Sequence, residues 1–177
     1  FERLRYSAEV TTLNARDFGV PQDRTRFFLV ASRGKLPFVF PSPASERPTV
    51  HDAIGDLPRI LNGNTISWMK YRQCAPSRYA RSMRQSLKGC HNHLVTRNAA
   101  YVIDRYRFVP KGGNWEDIPA ELMENYFDRS RCHTGIYHRL DPHEPSVVLG
   151  NFRKNMLIHP TQHRGLSVRE AARLQSF

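Results

Sequence analysis

The chain has 177 residues, and its 27 Lys and Arg outweigh 16 Asp and Glu to give a formal net charge of +11 and a pI of about 10.1. Such an excess is the electrostatic footprint of a polyanion binder. No apolar run reaches transmembrane length and no signal-like N-terminus or lipidation motif is present, so the expected protein is soluble and acts away from the membrane.

In chain order, Leu4 and Tyr6 are expected to close a short helix or turn, and Glu9 to Asn14 alternates as a strand. Gly19 and Pro21 then punctuate the chain, and the apolar run Phe27 to Ala31 has the length of a buried strand. Arg24 and Arg26, two residues apart at the mouth of that strand, are expected on one side of it. Two fork-shaped cations beside a core element suit a phosphate or a carbonyl oxygen; solvated strand-end residues are the alternative. Pro37, Pro41, Pro43 and Pro48 mark a linker, after which Thr49 is placed to cap a short helix over Val50 to Asp56, ended by Pro58.

From Ser77 the spacing turns helical, with Tyr79, Met83 and Leu87 on one face, Arg78, Arg81 and Arg84 on another, and Gly89 as the stop. Phosphate contact and a merely solvated basic face both fit that pattern. The surrounding stretch is markedly cationic: from Lys70 to Arg107 nine Lys or Arg face the single acid Asp104. A further helix is predicted over Asn98 to Phe108, and the loop Lys111, Gly112, Gly113, Asn114 has glycines that permit close backbone approach to a partner. Glu116 to Phe127 is expected to be a short helix, and Val147 to Leu149 and Met156 to Ile158 short strands in a loop-rich β region. At the end, Ser167 and Glu170 fit a capping box, with a helix from Val168 onward.

Cys74, Cys90 and Cys132 are odd in number and form no disulfide framework, which implies a reducing compartment. The cluster Cys90, His91, Asn92, His93 with Cys132 and His133 lacks the paired spacing of a zinc site, so no metal is expected.

Two segments carry a resemblance. Gly-Val-Pro-Gln-x-Arg-x-Arg at 19 to 26, and Arg-x-Leu-Ser-x-Arg-Glu-x-Ala-Arg-Leu-Gln-Ser-Phe at 164 to 177, resemble two late signature blocks of DNA (cytosine-5) methyltransferases, in the right order around a basic variable stretch. Pro48-Thr49-Val50 through Asp56-Leu57-Pro58, Pro110 to Trp115 and Arg139 to Pro142 extend it over most of the chain, loosely between about 60 and 95. The resemblance implies an α/β fold: the edge of a Rossmann-like S-adenosylmethionine-dependent methyltransferase domain over 1–58, a small, loop-rich mixed target-recognition domain over 59–160, and the start of a helix returning to the catalytic domain over 161–177.

It also implies the chemistry. Carbon 5 of cytosine becomes nucleophilic only after a thiolate adds to carbon 6, so such an enzyme flips the base from double-stranded DNA, attacks with cysteine and transfers methyl from S-adenosylmethionine. Negative charge grows on the ring, and preorganised donors stabilise it. By resemblance, Arg26 is the ligand of the cytosine O2, Arg24 its neighbour supporting the catalytic loop and the flipped nucleotide, and Gln22 fixes the turn. Target contacts are expected from Arg78, Arg81, Arg84, Lys111, Gly112, Gly113, Asn114, Arg139, Asn151, Arg153 and Lys154. Where relatives often place a threonine after the Pro-Ser pair, Val148 stands here, which shifts base contacts toward Asn151, Arg153, Lys154 or the Lys111 to Asn114 loop. Arg164, Ser167, Arg169, Glu170 and Arg173 are expected to brace the domain junction.

The family's glycine-rich cofactor loop, its Pro-Cys nucleophile and its Glu-Asn-Val block do not occur in these residues. The expectation is therefore a C-terminal part that works with the remainder of a methyltransferase chain or a partner subunit, that is inactive alone, and whose S-adenosylmethionine is bound mainly by residues elsewhere. The bacterial cytoplasm, near the nucleoid, or a eukaryotic nucleus is the matching compartment. A DNA-binding subunit of a split methyltransferase and an RNA-directed relative are the rival readings, the long basic insert favouring DNA.

Overall fold

The computed structural model describes residues 6–33, 38–126 and 133–177. Strands β1 (Tyr6–Asn14) and β2 (Thr25–Arg33) form an antiparallel hairpin in which Val10 faces Leu29 and Leu13 faces Arg26. Its connection is a 3-10 turn, Ala15–Phe18, capped at the start by the Asn14 side chain and ended by Gly19 at φ 79. That left-handed conformation favours glycine, which explains the punctuation seen there. Tyr6 thus opens a strand instead of closing a helix, because cross-strand pairing reaches Arg33; Leu4 lies outside the described residues.

The Phe27 to Ala31 strand forms, yet it is not buried. Phe27 is 67% exposed, and Val10, Phe28 and Leu29 are also exposed. A two-stranded ribbon has no second layer of its own, so apolar composition alone could not bury it.

The remainder packs around two clusters. Helix α1 (Val50–Ile54) starts at the Thr49 capping box with Asp52, as the sequence indicates. Helix α2 (Arg78–Arg84) is capped by Ser77, and α4 (Val168–Arg173) by the Ser167 and Glu170 capping box. One cluster joins α1 to α4 through Val50, Ala53, Ile54, Leu57, Ala171 and Leu174, together with Tyr71, Leu140 and Leu157. It therefore draws on residues between Val50 and Leu174, with none from the described hairpin. The other gathers Val102, Tyr106 and Val109, on and just after helix α3 (Ala100–Phe108), against Trp115, Ile118, Met123, Tyr137 and Ile158.

Several elements differ from expectation. Helix α2 stops at Arg84, since Gln85 and Ser86 both adopt positive φ; Leu87 is left exposed, and strand β4 (Gly89–Cys90) pairs with β3 (Met69–Lys70). The region from 116 breaks into two 3-10 turns, Trp115–Asp117 and Ala120–Met123, on either side of Pro119, which cannot donate a helical hydrogen bond. Phe127 lies outside the described residues. The expected strands near 147 and 156 reduce to single bridges, Gln22 with Ser146 and Ile158 with both Arg139 and Gly165. Residues 38–49 carry no helix or strand, consistent with the Pro41, Pro43 and Pro48 linker; Pro37 lies outside the described residues. No described helix is long and apolar enough to cross a membrane.

Candidate nucleic-acid interface

The turn from Gly19 to Arg26 is anchored to the packed body at a few points. The Asp23 amide donates to the Ser146 carbonyl at 2.8 Å, the Ser146 amide donates to the Pro21 carbonyl at 2.9 Å, and the Ala44 amide donates to the Asp17 carbonyl at 2.7 Å. Arg47 adds an ion pair to Asp17 at 2.7 Å. Gln22 is buried in this joint, and its backbone bridges Ser146 in parallel.

Arg24 sits one residue before β2, its amide held by the Asn14 side chain at 3.1 Å. Arg26 is exposed in β2, where its guanidinium donates to the Thr25 carbonyl at 2.7 Å. Neither arginine has an acidic partner among the described residues, because neighbouring Asp23 is engaged by Arg16 at 3.1 Å and by Asn14. Both guanidinium groups therefore keep donors for an external acceptor, Arg24 half-buried and Arg26 in solvent.

The basic helix divides. Arg78 and Arg81 are exposed, Arg78 pairing with Glu46 at 2.6 Å and Arg81 donating to the Pro76 carbonyl. Arg84 instead turns inward: its Nε lies 2.7 Å from the buried Asp56 carboxylate and its guanidinium stacks on Tyr71 at 4.3 Å. A buried acid outcompetes solvent for that cation, so the structure turns the half-buried Arg84 guanidinium toward the body, away from the exposed face that Arg78 and Arg81 share.

Arg139 also turns inward. It is 4% exposed, and its guanidinium donates to the carbonyls of Val109, His159, Gln162 and Tyr106, with His163 Nδ1 alongside. Its own backbone pairs with Gly112 and Gly113, so it carries the glycine loop instead of reaching outward. Gly112 has φ 74 with open space around it, whereas a side chain at Gly113 would strike Asp117 and Pro110. Lys111 is exposed, while the Asn114 side chain is spent capping the following turn, leaving Lys111 as the outward group of this loop. Asn151 caps the Lys154 amide at 3.2 Å; Arg153 and Lys154 are exposed, Arg153 lying over Phe152.

The C-terminal residues form an internal network. Arg164 meets Glu170 in a two-pronged pair at 2.8 and 2.6 Å, while the Ser167 amide donates to the same carboxylate. Burial alone would raise the Glu170 carboxyl, but the hydrogen bonds and charge of Arg164 hold it down to about 2. His159 is lowered to about 4 by burial, which outweighs the pull of Glu170. His93 is also lowered by burial; its Nε2 lies 2.9 Å from the Pro58 carbonyl, which can only accept, so Nε2 donates there, and its Nδ1 meets the Ser167 hydroxyl at 2.9 Å. Arg173 donates to the Ala53 carbonyl and the Tyr71 hydroxyl and faces Asp56, and Arg169 donates to the His91 carbonyl. From sequence alone Asp56 is placed at a helix end and His93 is weighed only for a metal, and neither they nor His159 and Ser146 are given a role in this network.

Cys90 lies in the core with its thiol pushed up by burial, the opposite of what an attacking thiolate needs; Cys74 is exposed and Cys132 lies outside the described residues. No group of three or more His, Cys, Asp or Glu stands ready to hold a metal ion among the described residues.

The fold joins a hairpin that carries Arg24 and Arg26 to a loop-rich body of short helices and turns. The profile of C-5 cytosine-specific DNA methylases matches residues 1–177, and the chain belongs to that family. It is 50% identical over 182 residues to Type II methyltransferase M.MthTI of Methanothermobacter thermautotrophicus, covering 100% of this chain and 47% of that protein. To Type II methyltransferase M1.HphI of Haemophilus parahaemolyticus it is 34% identical, covering 100% of this chain and 40% of the relative. The chain thus spans a little under half the length of these curated relatives. A crystal structure of an E. coli prophage-encoded protein, provisionally described as a DNA modification methyltransferase, superposes with a TM-score of 0.69 at 20% identity, over 96% of this chain and 50% of that one. That likeness concerns the fold.

Proposed function

We propose that the chain is the target-recognition part of a DNA (cytosine-5) methyltransferase, acting on cytosine in double-stranded DNA with S-adenosylmethionine as methyl donor. The observation that carries this reading is the Arg24 and Arg26 pair, held at a rigid turn with donors not claimed by any described acid. In this reading Arg26 binds the cytosine O2 and stabilises the charge that develops on the ring, Arg24 supports the flipped nucleotide, and Gln22 fixes the turn. Arg78, Arg81, Lys111, Asn151, Arg153 and Lys154 supply phosphate and base contacts.

The described helices α1 to α4 are preceded by Thr49, Ser77, Ala99 and Ser167, and none opens on a glycine-rich turn. These residues do not fit the methyl donor by themselves, so we assign it, with the cysteine nucleophile, to the remainder of the enzyme. The hairpin's uncovered apolar faces support the same division, with 1–58 as the edge of a Rossmann-like catalytic domain, 59–160 as the recognition domain and 161–177 returning to the former. The chain alone is then inactive, and the complete enzyme works in the cytoplasm or nucleus.

Arg26→Ala in the complete methyltransferase tests this. The expected loss is about 3 kcal/mol in the chemical step with duplex affinity nearly intact. Parallel loss of binding and turnover would remove Arg26 from the base pocket.

A further inference from the structure

Gln22 and Ser146 face one another across the parallel bridge that joins the arginine-bearing turn to the loop ahead of Asn151. Facing residues of such a bridge project to the same side. Both are almost wholly buried, Gln22 2% and Ser146 1% exposed, yet Gln22 Nε2 and Ser146 Oγ each lack a hydrogen-bond partner among the described residues. Buried polar groups without partners cost stability, and native proteins retain few of them. The backbone pairs across the bridge, the Asp23 amide donating to the Ser146 carbonyl and the Ser146 amide to the Pro21 carbonyl. Directly beyond Ser146, Val147 and Val148 are exposed, and Arg153 and Lys154 follow in the same segment.

We propose that the Gln22 and Ser146 pair is a positioning joint, which keeps Arg24 and Arg26 in register with the 147–154 segment so that recognition of flanking bases sets the grip on the target cytosine. The inference rests on the proposed enzyme function and adds a specificity role for Ser146, whose hydroxyl touches neither base nor phosphate in it. The joint tolerates two orphaned groups because their side chains complete their hydrogen bonds only when DNA draws the arginine turn and the recognition segment together.

The test replaces each orphan by an apolar counterpart, Gln22→Leu and Ser146→Ala, in the complete methyltransferase. Melting temperature, and methyl transfer to a cognate duplex and to duplexes altered at one flanking base pair, are then measured. A positioning role predicts unchanged or higher melting temperature, with the preference for the cognate duplex falling about tenfold or more, the scale of loss that small misplacement of reacting groups produces. A purely structural role would lower the melting temperature and reduce turnover on all duplexes alike, leaving the preference intact; that result overturns the proposal. Amide hydrogen exchange at Asp23 and Ser146, read with and without a duplex carrying the cognate site and with S-adenosylmethionine withheld, gives a second arm independent of turnover. Slower exchange on binding in the parent and its loss in both variants supports the joint, and identical exchange in parent and variants overturns it. Should the parent bind duplex but transfer no methyl group, the enzyme reading fails while the exchange arm still decides the joint.

Discussion

The hairpin β1–β2 and the body from Pro48 to Phe177 solve the burial problem in opposite ways. The body encloses Val50, Tyr106, Tyr137, Ile158 and Leu174 almost completely and wires its charges inward, Glu170 to Arg164 and Asp56 to Arg84 and Arg173. The hairpin leaves Val10, Phe27, Phe28 and Leu29 in solvent and is tied down mainly at its turn. Equal apolarity therefore does not make equal cores: a strand is buried by the layer laid over it, and the ribbon brings none.

Breaking the body's charge network should have the largest effect. Glu170→Ala strands the buried Arg164 guanidinium and should cost about 3 to 5 kcal/mol, read from urea unfolding; a cost near zero would mean the body does not depend on this network. The same groups set the acid limit. His159 titrates at about 4 folded against an ordinary value near 6.5, so the neutral form's stabilisation is complete above the unfolded value and is lost as pH falls toward 4. Glu170, lowered to about 2 from an ordinary 4.5, contributes stability above its unfolded value that disappears as pH falls toward 2. Stability measured from pH 7 downward should thus decline in two overlapping windows, and a flat profile would refute the buried network.

Ile118→Ala, at a site 2% exposed, should cost about 3 kcal/mol through lost contacts and a cavity. The paired change Phe27→Ser with Leu29→Thr should alter stability by no more than about 0.5 kcal/mol while reducing self-association in analytical ultracentrifugation. If the hairpin pair cost as much as Ile118→Ala, the contrast between the two regions would collapse.

Much of the site was legible in advance where the signal was local. The Thr49 and Ser167 caps and the Gly19 turn follow from side chains acting within a few residues, and all three stand where the sequence places them. The α2 arginines were legible as a basic face, but Arg84 could not be told from Arg78 and Arg81, since only the arrival of Asp56 from 28 residues away separates them. The inward turn of Arg139 was hidden for the same reason: its acceptors are backbone carbonyls 20 to 33 residues distant, which no motif encodes.

By itself the sequence determined the cationic character, the turn that presents Arg24 and Arg26, the helix starts and the family, because composition, caps and short motifs act over a handful of residues. The tertiary structure alone decided which arginines face inward, that the Phe27 strand lies bare, and that Gln22 meets Ser146. Those outcomes depend on segments distant in the chain competing for the same carboxylate, carbonyl or apolar surface, and that competition is resolved only in three dimensions.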